Sequence, residues 1–135
     1  MNEKETVDRL NKEGTDLTLV KDKFSAYDAE DENYIVEIKN RRDYYSEKLI
    51  EAFKLFKNFQ LSQILNKSFL YVVTDSKGLY IYNVSKDIDK ILSKPIRPIK
   101  CPKTTDFKNK EKIIKYSYTL SEDIATKLEL WKEEK

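Results

Sequence analysis

Apolar and polar positions repeat with two different periods along the first part of the chain. In the polar segment 2–13, Val7 and Leu10 fall on one side, and Gly14 follows where a helix would end. Between residues 17 and 40, apolar residues recur at every second position, which is the period of a strand. The pattern predicts a helix, a strand at 17–19 and a β-hairpin. The hairpin strands are expected at 24–28 and 34–39, joined by an acidic turn at 30–33.

The next segment predicts the longest helix of the chain. Asp43 is suited to cap its N-terminus, and apolar residues then recur at three- and four-residue spacing. We expect this helix at residues 44–65, with Phe53, Phe56 and Phe59 near its core face.

The rest of the chain predicts a second hairpin and three further segments. Two β-branched and aromatic runs, 69–74 and 79–84, flank a turn that contains Gly78. All three prolines fall in residues 94–105, which are expected to form a surface loop. Residues 113–120 alternate as an edge-like strand, and Ser121 begins a helix expected at residues 121–135.

This order of elements predicts an α/β (α+β) fold with a central mixed β-sheet flanked by helices. A chain of 135 residues can bury one core without a metal or a disulfide, so we expect a single domain over residues 1–135.

Composition and charge exclude several kinds of site. The chain has no histidine, which excludes His-based triads, His acid–base catalysis and His-ligated zinc or haem. Its single Cys101 cannot form an intramolecular disulfide. The net charge of +2 gives no strong signal for nucleic-acid binding. We find no apolar run long enough for a signal peptide or membrane span and therefore expect a soluble cytoplasmic protein.

The spacing Asp/Glu-x-Lys occurs four times, but only one copy lies inside a predicted strand. The copies at 75–77, 106–108 and 133–135 fall in a turn, after the Pro-containing loop and at the C-terminus. Glu37 and Lys39 instead interrupt an apolar strand and project from one face, while Tyr34, Val36 and Ile38 take the opposite face. A carboxylate and an amine within a sheet cost desolvation energy unless they are paired or metal-bound. This pair therefore indicates a functional site.

Asp28 extends this pair, because the predicted hairpin can bring it close to Glu37. Two carboxylates from adjacent strands form a hard oxygen site suited to Mg²⁺ or Mn²⁺, which bind phosphate oxygens and activate water. Lys39 would then lie beside that water, where it can orient the water or stabilise negative charge in the transition state.

These residues resemble the PD-(D/E)xK nuclease superfamily, which includes restriction-endonuclease-like and Holliday-junction-resolvase-like folds. There, a helix, a strand with Asp, a hairpin, a strand with Glu-x-Lys and a helix follow one another. The matching segments lie within residues 1–85, and Tyr27 replaces the proline of the motif. They are Tyr27-Asp28, Tyr34-Ile35-Val36-Glu37-Ile38-Lys39-Asn40-Arg41 and Ile50-Glu51-Ala52-Phe53-Lys54.

The resemblance implies metal-dependent hydrolysis of phosphodiester bonds, with DNA favoured over RNA. It implies Asp28, Glu37 and the main-chain carbonyl of Ile38 as metal ligands, and Lys39 as the catalytic lysine. Glu3 on the first helix and Lys54 on the later helix are further candidates. Phosphate contacts are expected from Arg41, Arg42 and Lys57. Enzymes of this fold that cut both strands often act as dimers, so a homodimer is also implied.

Several alternatives stay open. Glu37 and Lys39 could form a salt bridge on a solvated sheet face, Asp28 could simply accept backbone hydrogen bonds, and the basic residues could be solvated. At the level of the whole protein, one alternative is a catalytically inactive nuclease fold that binds nucleic acid or a protein. Another is a small inhibitor or adaptor with an unrelated α+β fold.

Overall fold

The computed structural model describes residues 1–102 and 112–129, which contain three α-helices and nine strands. In order they are α1 (Glu3–Lys12), β1 (Thr18–Leu19), β2 (Ala29–Glu30), β3 (Tyr34–Asn40), β4 (Lys48–Glu51), α2 (Ala52–Leu65), β5 (Ser68–Thr74), β6 (Leu79–Asn83), α3 (Val84–Leu92), β7 (Arg97–Pro102), β8 (Lys112–Leu120), a 3₁₀ turn (Glu122–Ile124) and β9 (Thr126–Leu128).

The strands form two sheets. The larger sheet has the order β1-β2-β3-β5-β6-β9, in which β3 and β5 are parallel and all other neighbours are antiparallel. The smaller sheet, β4-β8-β7, is antiparallel throughout. The predicted central mixed sheet with flanking helices is therefore confirmed.

Both faces of the larger sheet are buried, because helices cover each of them. Ile35 on β3 packs with Leu55 of α2 and Ile91 of α3 on one face. Val36, the next residue along β3, packs with Leu10 of α1 on the other face. The alternation of a strand thus places odd-numbered β3 residues beneath α2 and even-numbered ones beneath α1.

Several sequence predictions are confirmed by the structure. The capping box of Asn2 and Glu5 begins α1, and Gly14 follows its end with a positive φ of 118° that favours glycine. The second hairpin forms as β5 and β6. Strand β8 matches the predicted strand within one residue, although it lies at the centre of its sheet rather than at an edge.

The long helix predicted at 44–65 is wrong in its first part. Asp43 caps no helix; the helix α2 begins after Glu51, and the preceding residues form β4 instead. Ile50 of β4 is fully buried, and its pairing with Tyr118 of β8 stabilises a strand here. The predicted core face of α2 is also wrong, because Phe53 is 72% exposed. The buried α2 residues are Leu55, Asn58 and Ser62.

Two predictions for the C-terminal half need correction. The loop expected at 94–105 contains the strand β7, whose edge position tolerates its prolines. The helix expected at 121–135 is replaced over its described part by the 3₁₀ turn, which Ser121 caps, and by β9. Strand β9 pairs with the otherwise open edge of β6. Residues 103–105 and 130–135 of these two predictions lie outside the described residues.

The first hairpin differs in its first strand. Residues 24–28 form no strand, and Phe24 is 82% exposed; the strand is β2, two residues long. Asp31 shapes the turn, because its Oδ1 accepts the N–H groups of Asn33 and Tyr34. Helix α3, which the sequence analysis left unassigned, begins where Asn83 caps it. Among the described residues, no helix has the length and apolar character needed to cross a bilayer.

Candidate active site

Glu37 and Lys39 lie on the β3 face that α2 covers. In the parallel pairing of β3 with β5, Glu37 is opposite Tyr71 and Lys39 is opposite Val73. Glu37 is only 7% exposed, and Lys39 is half-buried. The alternative of a salt bridge on a solvated sheet face is therefore wrong, because this face lies in the core between sheet and helix.

Asp28 lies beside Glu37, as the sequence predicts, although it precedes β2 rather than ending a longer strand. Its N–H donates to the Val36 carbonyl at 2.8 Å. Its Oδ2 accepts the Ile38 N–H at 2.7 Å, which is the backbone hydrogen bond that the structural alternative for Asp28 requires. The Asp28 charge also raises the pKa of Glu37. Both carboxylates thus meet around the middle of β3.

A hydrogen bond from α2 holds the loop that carries Asp28. Asn58 is fully buried, and its Nδ2 donates to the Ala26 carbonyl at 2.9 Å. A buried polar side chain usually forms a hydrogen bond with a specific partner. Asn58 therefore positions the Asp28 loop, a role that its place in the sequence does not indicate.

The electrostatics of Glu37 follow from burial and from its neighbours. Burial raises its pKa to about 7, and the Asp28 charge acts in the same direction, while Lys54 and Lys39 oppose both. Lys54 Nζ lies 3.3 Å from Glu37 Oε1. Lys54, a candidate from the sequence, is therefore the ion-pair partner of Glu37, and the helix α2 brings it there.

Lys39 lies in an environment that disfavours its charge. Burial lowers its pKa first, and the positive charges of Lys54 and Arg41 lower it further, against the opposing effects of Glu37 and Glu51. A lysine whose pKa is lowered in this way loses its proton more easily than a solvated one.

The remaining sequence candidates differ in their distance from these carboxylates. Glu3 lies at the start of α1. Burial raises its pKa, and the nearby charge of Asp28 raises it further. Arg41 follows β3, and its N–H donates to the Thr74 carbonyl at 2.7 Å. Arg42 and Lys57 are exposed, and within the described part of the chain neither contacts Asp28 or Glu37.

Two charged residues near the site were missed by sequence analysis. Glu51 Oε2 lies 3.9 Å from Lys54 Nζ, and its Oε1 lies 3.6 Å from Lys115 Nζ of β8. Glu51 lay inside a predicted helix, and only the pairing of β4 with β8 shows where it points. Charges therefore alternate in sign from Asp28 and Glu37 through Lys54 and Glu51 to Lys115.

The oxygen atoms of Asp28 and Glu37 are the donors suited to a divalent cation. Among the described residues, no group of three or more His, Cys, Asp or Glu side chains is placed to hold a metal ion. Sites for Mg²⁺ commonly use one or two carboxylates and complete the shell with water and substrate phosphate. Asp28 and Glu37 would provide the two carboxylates of a Mg²⁺ site of this kind.

The comparisons with known proteins found a similar fold but no similar sequence. No family model matches the sequence, and no curated protein matches it. Among solved structures, the fold is similar to that of Hjc, a Holliday junction resolvase from the archaeal hyperthermophile Archaeoglobus fulgidus. The TM-score is 0.55 at 12% sequence identity, and the match covers 90% of this chain and 89% of that chain.

At this level of identity, the similarity establishes the fold alone. The mixed sheet with flanking helices that the sequence predicts therefore matches the fold of this resolvase. The alternative of an unrelated α+β fold is therefore excluded.

Proposed function

We propose that this chain is a metal-dependent nuclease that hydrolyses phosphodiester bonds in DNA. The observation that carries the proposal is Glu37, a buried carboxylate beside the charge of Asp28 on the central sheet of a nuclease-type fold. A buried carboxylate next to a second acid is costly unless it serves a function.

Mg²⁺ or Mn²⁺ fits the residues present. Asp28 and Glu37 would hold the cation together with the main-chain carbonyl of Ile38, which strand alternation directs to the same edge of β3 as the Ile38 N–H. When bound, the cation would supply polarisation of a phosphate oxygen and acidification of a water molecule. Lys54 offsets part of the repulsion between the two carboxylates through its ion pair with Glu37.

The lysines supply the remaining chemistry. Lys39 projects from the Glu37 face, where its ammonium group can orient the attacking water and stabilise charge that develops on the phosphate. Lys54 holds the Glu37 carboxylate in place through its ion pair. Glu3, whose pKa is raised by burial and by the charge of Asp28, would orient groups around that carboxylate. These roles require three elements, α1, β3 and α2, to converge on one point.

Arg41, Arg42 and Lys57 would contact the phosphate backbone. All three side chains are exposed, and Arg41 supports this role best, because its charge reaches Lys39. DNA is the proposed substrate because the structural neighbour is a Holliday junction resolvase. A homodimer, in which each copy cuts one strand, belongs to the same proposal, and analytical ultracentrifugation with and without DNA tests it.

A substrate and metal panel tests the proposal. Linear, supercoiled, branched and single-stranded DNA, and matching RNA, are incubated with Mg²⁺, Mn²⁺, Ca²⁺ or EDTA. We expect cleavage with Mg²⁺ or Mn²⁺ and none with EDTA. Asp28→Asn should abolish it, whereas Glu32→Gln, which changes an exposed acid in the turn before β3, should not.

One observation favours a second candidate function. Lys54 already forms an ion pair with Glu37 in the absence of a metal. A catalytically inactive nuclease fold that binds nucleic acid or a protein would need such a partner for this carboxylate. Such a protein would bind DNA with equal affinity in EDTA and in Mg²⁺ and would cut none of the panel.

A further inference from the structure

A cleft lies between the two sheets, next to the candidate active site. Its volume is about 600 Å³, within the range of ~300–1,000 Å³ typical of small-molecule sites. Tyr71 and Val73 of β5 line it. Because these residues pair with Glu37 and Lys39 across the parallel strands, the cleft opens from the same sheet face as the site.

The smaller sheet forms the opposite wall. Arg97 and Ile99 of β7 line the cleft, together with Leu49 of β4. Ile99 pairs with Lys115, whose ammonium group reaches Glu51 beside the active site. A hydrogen bond joins the two walls, because Tyr71 Oη of β5 donates to the Leu49 carbonyl of β4 at 2.9 Å.

The lining combines an apolar surface with cations at the rim. The exposed ring of Tyr45 and the half-buried side chains of Leu49 and Ile99 present aromatic and aliphatic surface. The exposed Arg41 and Arg97 add guanidinium groups. Most acids of the lining are already paired. Glu47 binds Arg97 at 2.9 Å and Asp75 binds Lys48 at 3.2 Å, which leaves Asp43 at the exposed edge.

We propose that this cleft binds one unpaired nucleotide of the substrate strand, adjacent to the phosphate that is cut. A nucleotide has a flat base that suits an aliphatic and aromatic slot, and a phosphate that suits the arginines. A base held in a duplex cannot enter a cleft of this kind without leaving its stack. The inference rests on the proposed nuclease function and gives it a substrate class: DNA with an unpaired nucleotide at a gap, branch or strand end.

Binding in EDTA tests the cleft separately from cleavage. The probes are a fully paired duplex and the same duplex with one unpaired 2-aminopurine nucleotide, and both anisotropy and 2-aminopurine fluorescence are measured. We expect the wild type to prefer the second probe by roughly tenfold, from the stacking of one base. Ile99→Glu and Arg97→Ala should each reduce that preference towards one.

The matched control is Ile114→Glu. Ile114 is 60% exposed on β8 of the same sheet and does not line the cleft, so this variant should keep the wild-type preference. Equal binding of the two probes, or a preference that Ile99→Glu leaves intact, would overturn the nucleotide cleft even if Mg²⁺-dependent cleavage occurs. A preference that Ile99→Glu abolishes, without cleavage in Mg²⁺ or Mn²⁺, would uphold the cleft and overturn the nuclease. Absence of binding to either probe would overturn the cleft.

Discussion

Lys54 of α2 and Glu37 of β3 meet across the space between helix and sheet, with Nζ 3.3 Å from Oε1. The carboxylate is buried and the ammonium group is partly exposed, so the lysine reaches inward from the rim of the site. This contact connects the two acids proposed to bind the metal with the register of α2, which begins only at Ala52.

Lys54→Met should destabilise the metal-free protein by about 1–2 kcal/mol near pH 8, because it leaves Glu37 buried without its cation. Because Lys54 is partly exposed, solvent screens its ion pair with Glu37, and the loss of stability should lie near the lower of these values. The loss should shrink near pH 5, where Glu37 is protonated. Urea denaturation at the two pH values measures it, and Lys57→Met, one exposed position of the same helix, is the control; equal losses in both variants would contradict the ion pair.

Glu37→Gln should stabilise the protein in EDTA above neutral pH. The folded-state pKa of Glu37 is raised from 4.5 to about 7, so the folded state binds this proton more tightly than the unfolded chain. The free energy of unfolding of the wild type therefore falls as pH rises through that window. At higher pH the variant avoids a cost on the order of 2 kcal/mol. The test is urea denaturation from acid to alkaline pH, and a parallel pH profile of the two proteins would contradict it.

Lys48→Met should destabilise the fold by about 3 kcal/mol, because it leaves the buried Asp75 without a cation. Their side chains are 3% and 2% exposed, with Nζ 3.2 Å from Oδ2. The double variant Lys48→Met/Asp75→Asn should recover most of the loss, since an amide oxygen can still accept the N–H groups of Lys77 and Gly78. Chemical denaturation of the four proteins gives the coupling energy, and additive losses would argue against the pair.

Mg²⁺ or Mn²⁺ should raise the melting temperature of the wild type. Binding to the folded state alone stabilises by about 2.7 kcal/mol at a hundredfold excess over Kd. Asp28→Asn should remove the shift, and Glu32→Gln should keep it. Differential scanning fluorimetry measures these shifts, and equal shifts in all three proteins would mean that the cation binds elsewhere.

The sequence predicted how Glu37 and Lys39 are placed on β3, because the two-residue period of a strand is a local property. Glu37 and Lys39 interrupt it at positions that had to share a face, and a short turn had to bring Asp28 close. These inferences needed only strand geometry and one hairpin.

The sequence predictions that were wrong concern residues whose structure depends on contacts between distant segments. Residues 48–51 have helical spacing, yet β8 pairs with them as a strand. The core face of α2 was assigned from its phenylalanines, whereas Asn58 faces inward because the Ala26 carbonyl satisfies it. Thr126–Leu128 became a strand because the edge of β6 was open. None of these partners is visible from local pattern.

The most direct test of the nuclease is the single-turnover rate of Mg²⁺-dependent DNA cleavage by the wild type and by Lys39→Met. An exposed lysine in α3, changed in Lys86→Met, serves as the matched control. If Lys39 acts on the attacking water and the developing charge, its loss should slow cleavage by about 10²–10⁴-fold while DNA binding in EDTA persists. A Lys39→Met rate equal to that of Lys86→Met would contradict the catalytic role assigned to this face of β3.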